Sequence, residues 1–219
     1  MRTIDSRSGD GRASHPVHRG IVAVAIENLR TNRVRDEFRG RTRRLLTAAL
    51  DSAGIQPAHR EVQSGMADRL VALIRPVDEV PKTLLLGTVV PALGRLVAAA
   101  NAARPTDEPP LRLRVAVHSG EVHRDGPDVF GEALDIAFRL VETPRVREFA
   151  QAIETPVTLV ITEEIYWPIV RHAYPGIDPA AFVPLARIHA GRRRQIWVHI
   201  GSWHDRSDFA LANSGLAAD

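Results

Sequence analysis

Short apolar runs rich in β-branched residues recur along the chain: Gly20-Ile-Val-Ala-Val-Ala-Ile26, Leu70-Val-Ala-Leu-Ile74, Leu111-Arg-Leu-Arg-Val-Ala-Val-His118 and Val157-Thr-Leu-Val-Ile161. Each is shorter than an ordinary helix and reads as a strand buried on one or both faces. Longer stretches with apolar residues at helical spacing separate them. This alternation is the strongest constraint on the fold, because strands and helices must then share one sheet-centred core.

The intervening signals set the element order. Thr31 or Asn32 caps a helix over about residues 33–53, with Phe38, Leu45, Leu46 and Ala49 near one stripe and Gly54 as its stop. A polar strand over about 58–64 pairs with 70–74 in a hairpin across Gly65 to Arg69. Beyond Pro76 and Pro81 a second helix runs to about Ala103, and Pro91 is expected to kink or interrupt it. Pro105 to Pro110 is a loop. The strand from Leu111 continues through Ser119 to Val122, HRDGPD turns the chain, and Gly131 to Val146 reads as one amphipathic helix. A short helix from Glu163 to about His172 follows the next strand. Phe182 to Ile188 then pairs with Gln195 to Ile200 across Ala-Gly-Arg-Arg-Arg. The expected fold class is α/β, an α+β sandwich with a ferredoxin-like βαββαβ core and extra C-terminal strands. Residues 1–17 are expected to be a disordered arm, 18–203 the domain and 204–219 a flexible tail.

Composition removes several classes of function. Cysteine is absent, so no disulfide scaffold, thiolate zinc site or cysteine nucleophile is available. Lys82 is the only lysine, which excludes a Schiff-base or phosphate-loop lysine elsewhere. The 29 basic and 26 acidic residues leave a net charge of +3, and without interleaved aromatics this is a poor nucleic-acid footprint. Residues 1–17 lack the apolar centre of a signal peptide. Thr83 to Ala100 is interrupted by Pro91 and Arg95, so the expectation is a cytoplasmic chain with no membrane partner. No G-x-S-x-G, H-E-x-x-H or P-loop pattern supports a hydrolase or NTPase.

Several residues stand out as chemistry. His118, Glu121 and His123 crowd together like metal ligands, but residues five apart on a strand face opposite sides. Asp135 and Arg139 are neighbours on a helix face, at minimum an i,i+4 surface pair. Asp68 is either a polar turn residue or a ligand. Gly191 to Gln195 is either an arginine clamp for phosphates or a solvated hairpin tip.

One stretch carries more. A strand ends in His118-x-Gly120-Glu121-Val122, a turn follows, and then comes Phe130-Gly131-Glu132-x-x-Asp135-x-Ala137-x-Arg139-Leu140. This resembles the class III nucleotidyl (adenylate/guanylate) cyclase homology domain, in which H-x-G-x-V leads through a hairpin turn to F-G-x-x-V-N-x-A-x-R-L. The element order agrees over about residues 18–202. The resemblance implies a head-to-tail dimer with the active site at the interface. Two aspartates there hold two Mg²⁺ or Mn²⁺ ions against a nucleoside triphosphate, in the logic of two-metal phosphoryl chemistry.

Residue by residue, the resemblance puts Ala25 at the first-strand aspartate, and a methyl group cannot ligate a hard cation. Glu27 shares that strand face but is displaced by ~6–7 Å. Asp68 falls on the second metal aspartate, flanked by Ala67 and Arg69 where the family has glycines. Asp135 replaces the ribose-steadying Asn, and Arg139 keeps the phosphate-steadying Arg. Glu132 takes a base-reading position. The base-reading Lys is missing, and the late strand offers His189, Ala190 and Gly191 instead. The candidate set is therefore Arg139 and Asp135 for catalysis, Glu132, Arg192 and Arg193 for nucleotide contact, and Asp68 and Glu27 for metal. Losing a ligand and the ribose amide costs several kcal/mol of transition-state stabilisation, if each follows the ~2.7–4 kcal/mol of a lost oxyanion donor.

Two functions follow from the resemblance. One is a catalytically degenerate module that forms a homodimer, or a heterodimer with an intact cyclase-like chain, and holds a nucleotide. The other is an active atypical cyclase with Glu27, Asp68 and Asp135 as an altered metal cage. A docking scaffold without a ligand is a third.

Overall fold

A computed structural model describes residues 15–27, 32–65, 69–153 and 155–201. Among them an eight-stranded sheet has the order β2-β3-β1-β4-β6-β8-β7, with β5 paired to β4. The strands are β1 (Val17–Ile26), β2 (Arg60–Ser64), β3 (Arg69–Ile74), β4 (Leu113–Asp125), β5 (Asp128–Phe130), β6 (Val157–Thr162), β7 (Phe182–Ala190) and β8 (Arg192–His199). Only β4 and β6 run parallel; the other pairs are antiparallel. The four strands β2-β3-β1-β4 make the expected ferredoxin-like core, and β6, β8 and β7 extend it. Of the expected arm and tail, residues 1–14 and 204–219 lie outside the described residues, as does Thr31; Val17 already pairs with Val122.

β1 is apolar at every position from Ile21 to Ile26 because both faces are covered. Val22, Val24 and Ile26 pack towards α1 (Asn32–Ser52), through Phe38, Leu46 and Leu50, and towards α3 (Val90–Ala102), through Leu93 and Val97. Ile21, Ala23 and Ala25 pack on the other face beneath α4 (Glu132–Glu142), against Leu134, Ala137 and Val141. Gly120 lets α4 sit close to the sheet: a Cβ there would lie 2.7 Å from that of Ala133. Gly131, at φ +140°, makes the entry into that helix that a side chain would oppose.

Pro91 widens its helix instead of breaking it. α2 (Lys82–Leu84), a π-helical turn (Leu85–Val89) and α3 run on continuously, and the wide turn accommodates the missing N–H and the ring. By length and composition Lys82–Ala102 is apolar enough to cross a membrane despite Pro91, and half of its most apolar 18-residue window is buried inside the fold.

Three expectations need correction. The helix predicted over 131–146 ends at Glu142, because Pro144 drives Thr143 out of helical geometry (φ −57°, ψ 129°) and opens α5 (Pro144–Ala152). The helix predicted over 163–172 is α6 (Glu163–Tyr166) followed by a separate 3₁₀ turn at Val170–His172. The last hairpin is tighter than expected: Gly191, at φ +66°, alone separates β7 from β8, so Arg192, Arg193 and Arg194 belong to a strand.

Candidate functional site

The register of β1 sets what surrounds Ala25. It lies directly opposite Arg69 on β3 and Arg114 on β4. Directly opposed residues of an antiparallel pair share a face, so an arginine stands on each side of the alanine. Ala25 itself is 1% exposed beneath α4.

Glu27 follows on the same face, buried, with its carboxylate 3.2 Å from Arg114 Nη1 and 3.4 Å from Arg112 Nε. Both arginines are anchored a second time. Arg114 Nε donates to the Val141 carbonyl at 2.7 Å, near the end of α4. Arg112 Nη2 donates to the Ala150 and Ile153 carbonyls at the end of α5. Helix-terminal carbonyls lack internal donors and carry partial negative charge, so guanidinium groups suit them. Burial lowers the Arg114 pKa, with Glu27 opposing and Arg147 adding, yet a guanidinium stays charged in proteins. Glu27 thus completes a latch joining β1, β4 and the ends of two helices.

A divalent ion needs oxygen donors, and the described residues do not supply them. Ala25 offers a methyl group, and the Glu27 oxygens, expected to hold metal, instead face two cations that repel a third. Among the described residues no cluster of three or more His, Asp and Glu is placed to hold an ion. Asp68, the other expected ligand, lies outside the described residues with Met66 and Ala67.

The candidates on α4 fall on one exposed stripe. Glu132, Asp135 and Arg139 are spaced by three and four residues and all three are exposed. Arg139 donates to the His189 carbonyl at 2.6 Å instead of pairing with Asp135. Glu132 lies 3.4 Å from Arg194. Of the arginines expected to meet a nucleotide, Arg193 is exposed, while Arg192 donates to Glu164 at 2.6 Å.

Glu164 is the centre of a second network that sequence reasoning missed. It also accepts from Arg194 Nε at 2.9 Å. Burial would raise the Glu164 pKa, but the Thr162 hydroxyl, a backbone N–H, Arg192 and Arg194 outweigh it and hold the carboxyl at about 2. His118 lies beside it, buried, with Nδ1 3.3 Å from the Thr162 hydroxyl. Burial pushes its pKa down to about 4, with Arg194 and Lys82 adding and Glu164 opposing, so the imidazole is neutral at pH 7. A cleft of about 290 Å³ lined by Gly20, Ile74, Val80, Lys82 and Leu85 lies on the α1–α3 side of the sheet, away from Ala25.

The latch at Glu27 was missed for a traceable reason. Arg112 and Arg114 interrupt a buried strand at a spacing of two, the mark of one face, and buried arginines require an acid partner. Glu27, ending the other buried strand, is that partner, but only the β1–β4 register makes the match.

The sequence matches no protein-family profile and no curated protein. The fold does have solved counterparts. An adenylate/guanylate cyclase/hydrolase from Silicibacter pomeroyi is 15% identical, with 86% of this chain and 99% of that one covered at a TM-score of 0.59. The dimeric guanylyl cyclase domain of the RhoGC fusion protein from Blastocladiella emersonii is 12% identical over 84% and 97% of the two chains, at 0.57. The guanylate cyclase domain of RhGC from Catenaria anguillulae, solved in complex with GTP, is 12% identical over 84% and 96%, at 0.56. With its sheet order, the helix pair on one face and α4 on the other, this chain has the fold of class III adenylate and guanylate cyclase catalytic domains.

Proposed function

We propose that this chain is a non-cyclising nucleotidyl cyclase-fold module that acts by association, as a homodimer or with an intact cyclase-like chain, and holds a nucleoside triphosphate without converting it. One observation carries the reading: at the strand end where the resemblance calls for a metal aspartate stands Ala25, and the carboxylate two residues on, Glu27, is paired with Arg112 and Arg114. Cyclisation needs the ribose hydroxyl activated and the leaving pyrophosphate neutralised, both tasks of the ion pair in two-metal chemistry. Arg139, bonded to a backbone carbonyl of its own chain, supplies charge but no activation. Support for association comes from the Blastocladiella domain, which is dimeric, and for the ligand from the Catenaria domain, which binds GTP.

The test is incubation of the purified chain with ATP, GTP, CTP or UTP and excess Mn²⁺ or Mg²⁺, followed by chromatography for cyclic products. The expected outcome is none. Cyclic nucleotide that disappears in Asp68→Ala would establish the active reading in its place.

A further inference from the structure

The arginines around Ala25 do more than exclude a metal. Arg69 and Arg147 both approach Glu142, Arg112 and Arg114 both approach Glu27, and Arg147 is close enough to Arg114 to lower its pKa. Among the described residues, four guanidinium groups therefore face two carboxylates, an excess of positive charge in this cluster. They differ in how firmly they are held. Arg114 and Arg112 are tied into the latch by helix-end carbonyls. Arg69 is not: its Nε lies 3.6 Å from Glu142, beyond hydrogen-bond length, its guanidinium stacks over the Phe138 ring at 5.7 Å, and its side chain is 40% exposed. Arg147 donates from Nη2 to Glu142, and its side chain is still 48% exposed. Their forks are the outward, donor-rich groups of a net cationic cluster.

We infer that this end of the domain binds a polyphosphate in its metal-free form, with Arg69 and Arg147 taking the place of divalent cations as the counter-charge. The inference rests on the reading of the chain as a nucleotide-holding module and adds the ionic form of the ligand. Guanidinium forks match phosphate oxygens two at a time. A nucleoside triphosphate already carrying Mg²⁺ has lost half its negative charge and presents a dication to a cationic surface. The free anion is therefore the better ligand here, the reverse of what a metal-dependent site prefers.

The experiment is calorimetric titration of the full chain with ATP, GTP and inorganic tripolyphosphate, once in EDTA and once in excess MgCl₂. The expected result is saturable binding in EDTA that Mg²⁺ weakens. The loss in Arg69→Ala should be about tenfold, the value of one charge-assisted bond. Tripolyphosphate binding as tightly as the nucleotides would assign the site to phosphate chains, and tighter nucleotide binding would assign it to nucleotides. Arg147→Ala gives a second readout should the first variant misfold, which circular dichroism would show. Binding that requires a divalent ion, binding unchanged in both variants, or no binding in either buffer would overturn the inference. Cyclic product in the turnover assay would instead overturn the non-cyclising reading, so the two failures are distinguishable.

Discussion

The two ends of the sheet bury charge in opposite ways. At the end of β1, Glu27 is outnumbered by Arg112 and Arg114, and each of those arginines also donates to a helix-end carbonyl. At the far end of β4 and β6, two arginines of β8 meet two acids, Glu164 and Glu132, beside a neutral His118. The first network has one carboxylate holding four elements together. The second is a balanced cluster in which Arg194 has two acid partners. A single substitution should therefore be far costlier at the first end than at the second, and only the first stands where the fold relatives' resemblance calls for a metal ligand.

Glu27→Gln should break the comparison hardest. It strands Arg114, 8% exposed, without its counter-charge, and loss of one partner of a buried pair typically costs about 3–5 kcal/mol. Urea unfolding of the variant measures it; a loss below ~1 kcal/mol would mean the latch is ornamental. The double variant Glu27→Leu, Arg114→Leu should recover part of the loss, because removing both charges removes the stranded one.

Acid should strike the second end through His118. Its folded pKa of about 4 lies below the ordinary 6.5, so between those values the unfolded state takes up the proton and the folded state resists it. Stability should be unaffected by this group above pH 6.5 and should fall by roughly 3 kcal/mol as pH drops to 4, at about 1.4 kcal/mol per pKa unit. His118→Leu should flatten that part of a melting-temperature profile against pH. A profile identical to the parent's would remove His118 from the account. Below pH 4.5 the depressed pKa of Glu164 adds its own loss, since its carboxylate form is the one the fold holds.

Smaller effects sharpen the contrast. Glu164→Gln should cost about 2 kcal/mol, that of charge-assisted hydrogen bonds, because Arg194 keeps Glu132. Arg69→Ala should change stability by less than ~1 kcal/mol, as a half-exposed ion pair does, and chemical denaturation of the two variants side by side reads the difference.

The fold was legible because burial writes itself into local pattern. The four apolar runs became β1, β3, β4 and β6, and the sheet order follows from how strands and helices alternate. What failed was local competition: the helical spacing across 131–146 outweighs Pro144 when read alone, and the charge run at 192–194 reads as a turn although it is a strand, with Arg192 and Arg193 exposed and only Arg194 buried. The candidate site was half legible. The resemblance singled out Ala25 and Arg139, and the structure has the first near the end of β1 and the second on the exposed face of α4. The roles of Glu27, Arg112 and Arg114 were not, because Glu27 and Arg114 are 87 residues apart and their pairing is a fact of strand register. Read singly, Glu27 is a spare carboxylate beside a missing one; in register, it is already neutralised.

Manganese titration of the full chain followed by electron paramagnetic resonance tests the central claim most directly. If guanidinium groups have replaced cations at the end of β1, the free Mn²⁺ signal should rise in proportion to the metal added, with no saturable loss. Depletion of one or two equivalents of Mn²⁺ that Glu27→Gln abolishes would contradict it.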